Sequence, residues 1–134
     1  MTSISGPDIS TDYTERQCAD FGPQRLAFSA QIDKATQTTP GVIFCGGFRS
    51  DMGGTKALAL ASWAAERKQN FVRFDYFGHG SSTGTFTDGT ISHWRGDIPH
   101  ILDTLTQGPQ ILVGSSFGGW LSMLAALDRP DRVA

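Results

Sequence analysis

The run Gln110-Ile111-Leu112-Val113-Gly114-Ser115-Ser116-Phe117-Gly118-Gly119-Trp120 constrains this chain more than any other. Three apolar residues lead into Gly-x-Ser-x-Gly, and a helix-like apolar pattern leaves it. A strand, a sharp turn and a helix in that order put a serine at the apex of a strained bend, with its hydroxyl exposed. The glycines fit the same reading. The arms of such a bend nearly touch, and a Cβ at Gly114 or Gly118 would collide. A helix N-terminus behind the serine favours developing negative charge. Ser116 is therefore the candidate nucleophile, and Ser115 beside it points away and packs.

Upstream, Leu26, Phe28, Ala30 and Ile32 alternate between Arg25 and Ile32, which predicts a half-buried strand. Thr36 to Gly41 reads as a turn. Val42-Ile43-Phe44-Cys45 is apolar throughout, as a strand covered on both faces requires. After a glycine-rich loop, Gly46 to Gly54, Thr55 is expected to cap a helix running to about Lys68. Its packed side holds Ala57, Leu58, Ala61, Ala64 and Ala65, and Arg67 and Lys68 suit the dipole of its last turn. Phe71 to Phe74 is the next strand, ended by Asp75, and a Gly/Ser/Thr loop follows to Gly89. Thr90 caps a second helix carrying Ile91, Trp94, Ile98, Ile101, Leu102 and Leu105, which Pro99 should kink or delay and Gly108-Pro109 ends. Ile111 to Val113 is the third buried strand and Phe117 to Leu127 the third helix.

Buried strands alternating with helices predict an α/β fold with a parallel sheet and right-handed crossovers. Residues 1-24 read as a polar tail with an edge strand, and 25-134 as the domain proper. Ligands of such sheets bind beyond the carboxyl ends of the strands, so the informative loops are 46-54, 75-89 and 114-118. In the first, Gly46-Gly47-Phe48 lets the backbone pass close to a carbonyl. Phe48 and Phe117, the residue after the serine, are the candidate N–H donors of an oxyanion hole.

The second loop, Asp75-Tyr76-Phe77-Gly78-His79-Gly80-Ser81-Ser82, lacks the third glycine of a dinucleotide fingerprint, since Thr83 stands there. Gly53-Gly54-Thr55-Lys56 reverses the Lys-Ser/Thr order of a phosphate-binding loop. His79 is open as a base at the correct end of the sheet, with loop structure as its plainer role. His93 and His100 read as surface or helix-face residues, and Asp75 as fixing its own loop.

A net charge of -2 over 134 residues leaves no footprint for nucleic acid. No apolar run approaches the roughly 18 residues of a membrane span. Met1 to Asp12 carries neither a signal-peptide nor a transit-peptide pattern, so a soluble cytoplasmic protein is the expectation. Cys45 reads as a buried thiol, and Cys18 as an isolated one with nothing nearby to activate it.

Asp75-x-x-Gly-x-Gly-x-Ser82 and Gly114-x-Ser116-x-Gly118 occur in the order and spacing of the α/β-hydrolase superfamily, whose first half this chain resembles. More narrowly, it resembles the α/β-hydrolase-domain palmitoyl-protein thioesterases, a group mitochondrial in animals, through Gly54-Thr55-Lys56-Ala57, Trp94-Arg95-x-Asp97 and the run Gly108 to Trp120. Gly46 and Pro99 depart from that pattern. The resemblance covers about Arg25 onward. It implies a serine hydrolase of acyl thioesters and esters that needs no cofactor, with Ser116 as nucleophile and Phe48 and Phe117 as backbone oxyanion donors. It also implies that the fold is truncated after the nucleophile helix. In this superfamily the acid and the histidine follow the serine in chain order, yet no histidine follows His100. The 134 residues alone are thus expected to be catalytically poor. A general carboxylesterase or lipase-like hydrolase, and a non-catalytic binding module on the same scaffold, are the alternatives.

Overall fold

The wholly apolar run at Val42 forms the strand around which everything else is arranged. In the computed structural model, which describes residues 11–33 and 40–134, five strands form one sheet. They are β1 (Asp12–Cys18), β2 (Gly22–Gln31), β3 (Gly41–Cys45), β4 (Phe71–Phe74) and β5 (Gln110–Gly114), in the order β1-β2-β4-β3-β5. The expected tail through residue 10 and most of the turn expected at 36–41 lie outside the described residues.

All five residues of β3 are buried, and their alternation serves two cores. Ile43 and Cys45 join Leu26, Val72, Ile98, Ile101, Leu102 and Leu121 on one face. Val42 and Phe44 join Phe71 and three alanines on the other, Ala57, Ala61 and Ala64 of helix α1 (Thr55–Arg67). The first face is covered by α2 (Ile91–Arg95), α3 (Asp97–Leu105) and α4 (Phe117–Asp128). Truncating a buried residue such as Ile43 to alanine typically costs about 2–5 kcal/mol.

The sheet is mixed. β3 runs parallel to β4 and to β5, as expected, while β1 with β2 and β2 with β4 run antiparallel. Residues 12–18 are polar without alternation, so the hairpin they form with β2 carries no periodic signal. β2 starts at Gly22 and not at Arg25, so position 24 lies inside it. Its burial also departs from strict alternation. Leu26 is buried, but Ala27 and Ser29 are buried too, while Ala30 and Ile32 face outward. The loop after β4 explains this, because the Asp75 N–H donates to the Ala27 carbonyl (2.9 Å) and Ser82 Oγ accepts the Ala27 N–H (2.8 Å).

Three helix details differ from the sequence expectation. Gly54, in an extended conformation, caps α1 and Thr55 is its first residue, without a side-chain cap bond. Leu58 and Ala65 point outward, leaving a narrow alanine stripe to touch the sheet. The single kinked helix is two helices broken at Gly96, with Thr90 capping α2 through the His93 N–H (3.2 Å). Pro99 falls in the first turn of α3, where a missing N–H has no intrahelical partner to lose.

From β3 the chain crosses to β4 on one side, then returns past β3 to β5 on the other. That reversal opens a crevice between the carboxyl ends of β3 and β5, where ligands of open α/β sheets bind.

Candidate active site

Ser116 stands at that crevice, between β5 and α4, with φ 56° and ψ −124°. This backbone region is costly for any residue with a Cβ, and it is held by contacts on both sides. The Ser115 N–H donates to the Cys45 carbonyl at the end of β3 (3.0 Å), and the Gly118 and Gly119 N–H groups close the first turn of α4 on Ser115 and Ser116 (2.9 Å each). A Cβ on Gly114 would lie 2.5 Å from the Gly119 Cα, across the bend. A Cβ on Gly118 would strike the carbonyl oxygens of Cys45 and Gly46, so this glycine lets α4 seat against the end of β3 and not only against its own strand.

The Ser116 side is exposed, and its hydroxyl makes no hydrogen bond among the described residues. Ser115 is not merely packed, since its Oγ accepts from Lys56 Nζ at 3.1 Å. The first loop abuts the bend. A Cβ on Gly47 would sit 3.7 Å from Ser116 Cβ and 3.5 Å from the Ser115 carbonyl. The N–H groups of Phe48 and Phe117 are uncommitted among the described residues. Their rings pack edge to face, centroids 5.5 Å apart, and Phe48 is 52% exposed. Phe86 and Trp94 extend this aromatic surface.

Asp75 is 2% exposed and ties two loops together. Its Oδ1 accepts the Met52 N–H (2.7 Å) and its Oδ2 the Ser81 N–H (2.9 Å). Burial pushes its carboxyl above the usual carboxylate range, against the pull of those two N–H groups. Arg73 holds the same segment from below, its Nη1 donating to the Met52 carbonyl (2.7 Å). Tyr76 donates its hydroxyl to the Gly46 carbonyl (3.1 Å).

The three histidines are all engaged elsewhere. His79 Nδ1 meets the Phe77 carbonyl (3.0 Å) and its Nε2 the Arg49 N–H (3.1 Å). His93 is buried against β1, not a surface residue, with Arg16 Nη1 3.3 Å from its Nε2 and Cys18 Sγ 3.4 Å from its Nδ1. Burial first, then the Arg16 charge, holds its pKa below the usual imidazole value. The thiol of Cys18 therefore has an imidazole neighbour, 75 residues away in sequence, that composition alone does not disclose. His100 bonds Thr14 Oγ1 (3.1 Å), and burial, then Arg16, lowers its pKa also. Among the described residues no His/Cys/Asp/Glu cluster could hold a metal ion, and no helix is long and apolar enough to cross a membrane.

A family model described as alpha/beta hydrolase fold matches residues 41–134. The palmitoyl-protein thioesterase ABHD10, mitochondrial, of Mus musculus is 50% identical over 95 residues, 71% of this chain and 32% of that protein. The chain thus spans about a third of the length of the curated relatives it matches. The solved structure of alpha/beta hydrolase domain-containing protein 10 from mouse superposes with TM-score 0.79 at 41% identity, covering 91% of this chain and 46% of that one. Est1E from Butyrivibrio proteoclasticus, solved with ferulic acid bound, superposes with TM-score 0.73 at 26% identity, covering 89% and 49%. The curated relative's name reads mitochondrial, so the expectation of a cytoplasmic protein finds no support there.

Proposed function

Because this chain belongs to the α/β-hydrolase family, we propose that it carries the nucleophile and oxyanion hole of a serine hydrolase acting on acyl thioesters, with S-acylated protein or a small acyl thioester as substrate. The observation that carries the reading is Ser116 itself. An exposed hydroxyl is fixed at φ 56° beside two uncommitted backbone N–H groups, at the mouth of the sheet's crevice.

In this reading Ser116 Oγ attacks the acyl carbonyl and its proton passes to a base. The N–H groups of Phe48 and Phe117 take the negative charge that develops on the carbonyl oxygen, and each such donor is typically worth about 3 kcal/mol in the transition state. The intermediate collapses, the thiol leaves with a proton, and water then releases the acid from the acyl-serine. All three histidines are engaged elsewhere, so none of them is assigned the role of base in this scheme. No metal or organic cofactor enters the scheme.

A second reading is favoured by the aromatic cluster of exposed Phe48 and half-buried Phe86 and Phe117. An aromatic cluster beside the serine, its rings packed edge to face, accommodates a planar acyl group on an oxygen ester as readily as an alkyl chain. The test uses the full-length protein, a fluorophosphonate label and paired thioester and oxygen-ester substrates of equal acyl chain. Labelling and turnover that vanish in Ser116→Ala support the hydrolase. The thioester-to-ester ratio of kcat/KM then ranks the two substrate classes. A folded protein that takes no label and turns over neither substrate is a binding module, and the proposal is withdrawn.

A further inference from the structure

The segment Gly78-His79-Gly80 fails as a nucleotide fingerprint, yet the fold spends two left-handed glycines, φ 70° and 50°, on presenting one buried imidazole. His79 is 3% exposed. A carbonyl can only accept, so the Phe77 oxygen at 3.0 Å puts the ring proton on Nδ1. A backbone N–H can only donate, so the Arg49 amide at 3.1 Å needs the lone pair of Nε2. Both nitrogens are thereby assigned, and neither is spare for proton transfer at Ser116.

What the ring holds is the first loop. Gly47 to Ser50 is a turn closed by the Ser50 N–H on the Gly47 carbonyl (3.1 Å). Its third residue, Arg49, has φ 61°, where glycine is the natural occupant. The arginine sits there with its N–H bonded to His79. The residue before it, Phe48, has the uncommitted N–H that faces the Ser116 side in the proposed function. The same imidazole lies nearly parallel to the Phe117 ring, at 6.3 Å and 17°, and edge-on to Phe86 and Trp94. It therefore contacts the segments that carry both oxyanion donors.

We propose that His79 is a positioning residue, which holds the strained turn at Arg49 so that the Phe48 amide is set before substrate arrives. This rests on the serine-hydrolase reading above. Preset donors act without reorganisation when charge develops, so their loss falls on the chemical step and not on ground-state binding.

The experiment compares His79→Phe, which keeps a ring but has no acceptor, with His79→Gln, whose amide oxygen can still take the Arg49 N–H. Hydrogen exchange of the Arg49 amide is measured in both, beside kcat and KM in the full-length protein with Ser116→Ala as control. In His79→Phe the Arg49 amide should exchange at least about tenfold faster, and kcat should fall about 10- to 100-fold with KM within about twofold, an effect smaller than outright loss of a donor. His79→Gln should recover most of both. Unchanged Arg49 exchange in His79→Phe overturns the tether. Faster exchange with unchanged kcat overturns the positioning role. If turnover survives Ser116→Ala, the serine-hydrolase reading fails and the catalytic part of this inference with it, while the Arg49 exchange still decides whether His79 holds the turn.

Discussion

Replacing Ser116 by glycine should make this protein more stable than replacing it by alanine. Both variants lack the hydroxyl, which makes no hydrogen bond among the described residues, so the pair isolates the backbone. At φ 56° and ψ −124° a residue with a Cβ carries about 1–3 kcal/mol of strain. Glycine relieves it but loses about 0.5–1 kcal/mol through the greater freedom of its unfolded chain. At mid-range values, about 2 kcal/mol of strain against about 0.75 kcal/mol of lost freedom, the net advantage of glycine is about 1 kcal/mol, or about 3–5 °C in Tm for a chain of this size. Urea unfolding with matched m-values measures it. Ser122, inside α4, is the internal control, since there alanine should win by about 1 kcal/mol. A Ser116→Gly variant no more stable than Ser116→Ala would mean that the bend is not strained, and the account of an enforced nucleophile geometry would fail.

Three further outcomes follow from the packing. Gly118→Ala places a methyl against two backbone carbonyls that no rotamer change can move, and should cost at least about 3 kcal/mol; Gly108→Ala, with a positive φ of 69° but open space, should cost about 1–2 kcal/mol by the same denaturation assay. Of the two cysteines, Cys18 alone should titrate quickly with a disulfide reagent in the native protein. Cys18 is partly exposed, whereas Cys45 is fully buried and burial pushes its pKa up to about 12; two fast thiols would contradict the packing of β3. Burial also raises Asp97 to about 7, outweighing the Phe77 N–H and Arg16 beside it. Its folded pKa lies above its unfolded one, so its stabilising contribution is complete below about pH 4 and is lost as pH rises through about 7. Unfolding free energy measured against Asp97→Asn should therefore drop between those limits, and a difference that grows with pH would mean that the Arg16 pair prevails.

The elbow was legible because its chemistry is local. Gly114 and Gly118 sit at fixed offsets from Ser116, and the apolar run before them forms β5. That strand lies at the edge of the sheet, so Ile111 is exposed and Leu112 and Val113 are half-buried, not covered as the apolar run predicts. The buried β3 was legible for the same reason as the elbow. Long-range partnerships were not. That His79 serves Arg49, 30 residues away, depends on how two loops cross above the sheet, and no spacing rule encodes it. The antiparallel pairing of β1 is silent because a polar edge strand needs no alternation. The break at Gly96 is silent because the apolar spacing of Ile91, Trp94, Ile98 and Ile101 continues across it. The outward turn of Leu58 and Ala65 shows how little of α1 the sheet touches when alanines alone make the contact.

The most direct measurement is a crystal structure of the full-length protein after reaction with an alkyl phosphonate that mimics the tetrahedral intermediate. Phosphorus should be bonded to Ser116 Oγ, with one phosphoryl oxygen about 2.7–3.1 Å from both the Phe48 and the Phe117 nitrogen. An adduct on another side chain, or a phosphoryl oxygen turned to solvent away from those two amides, would contradict the account.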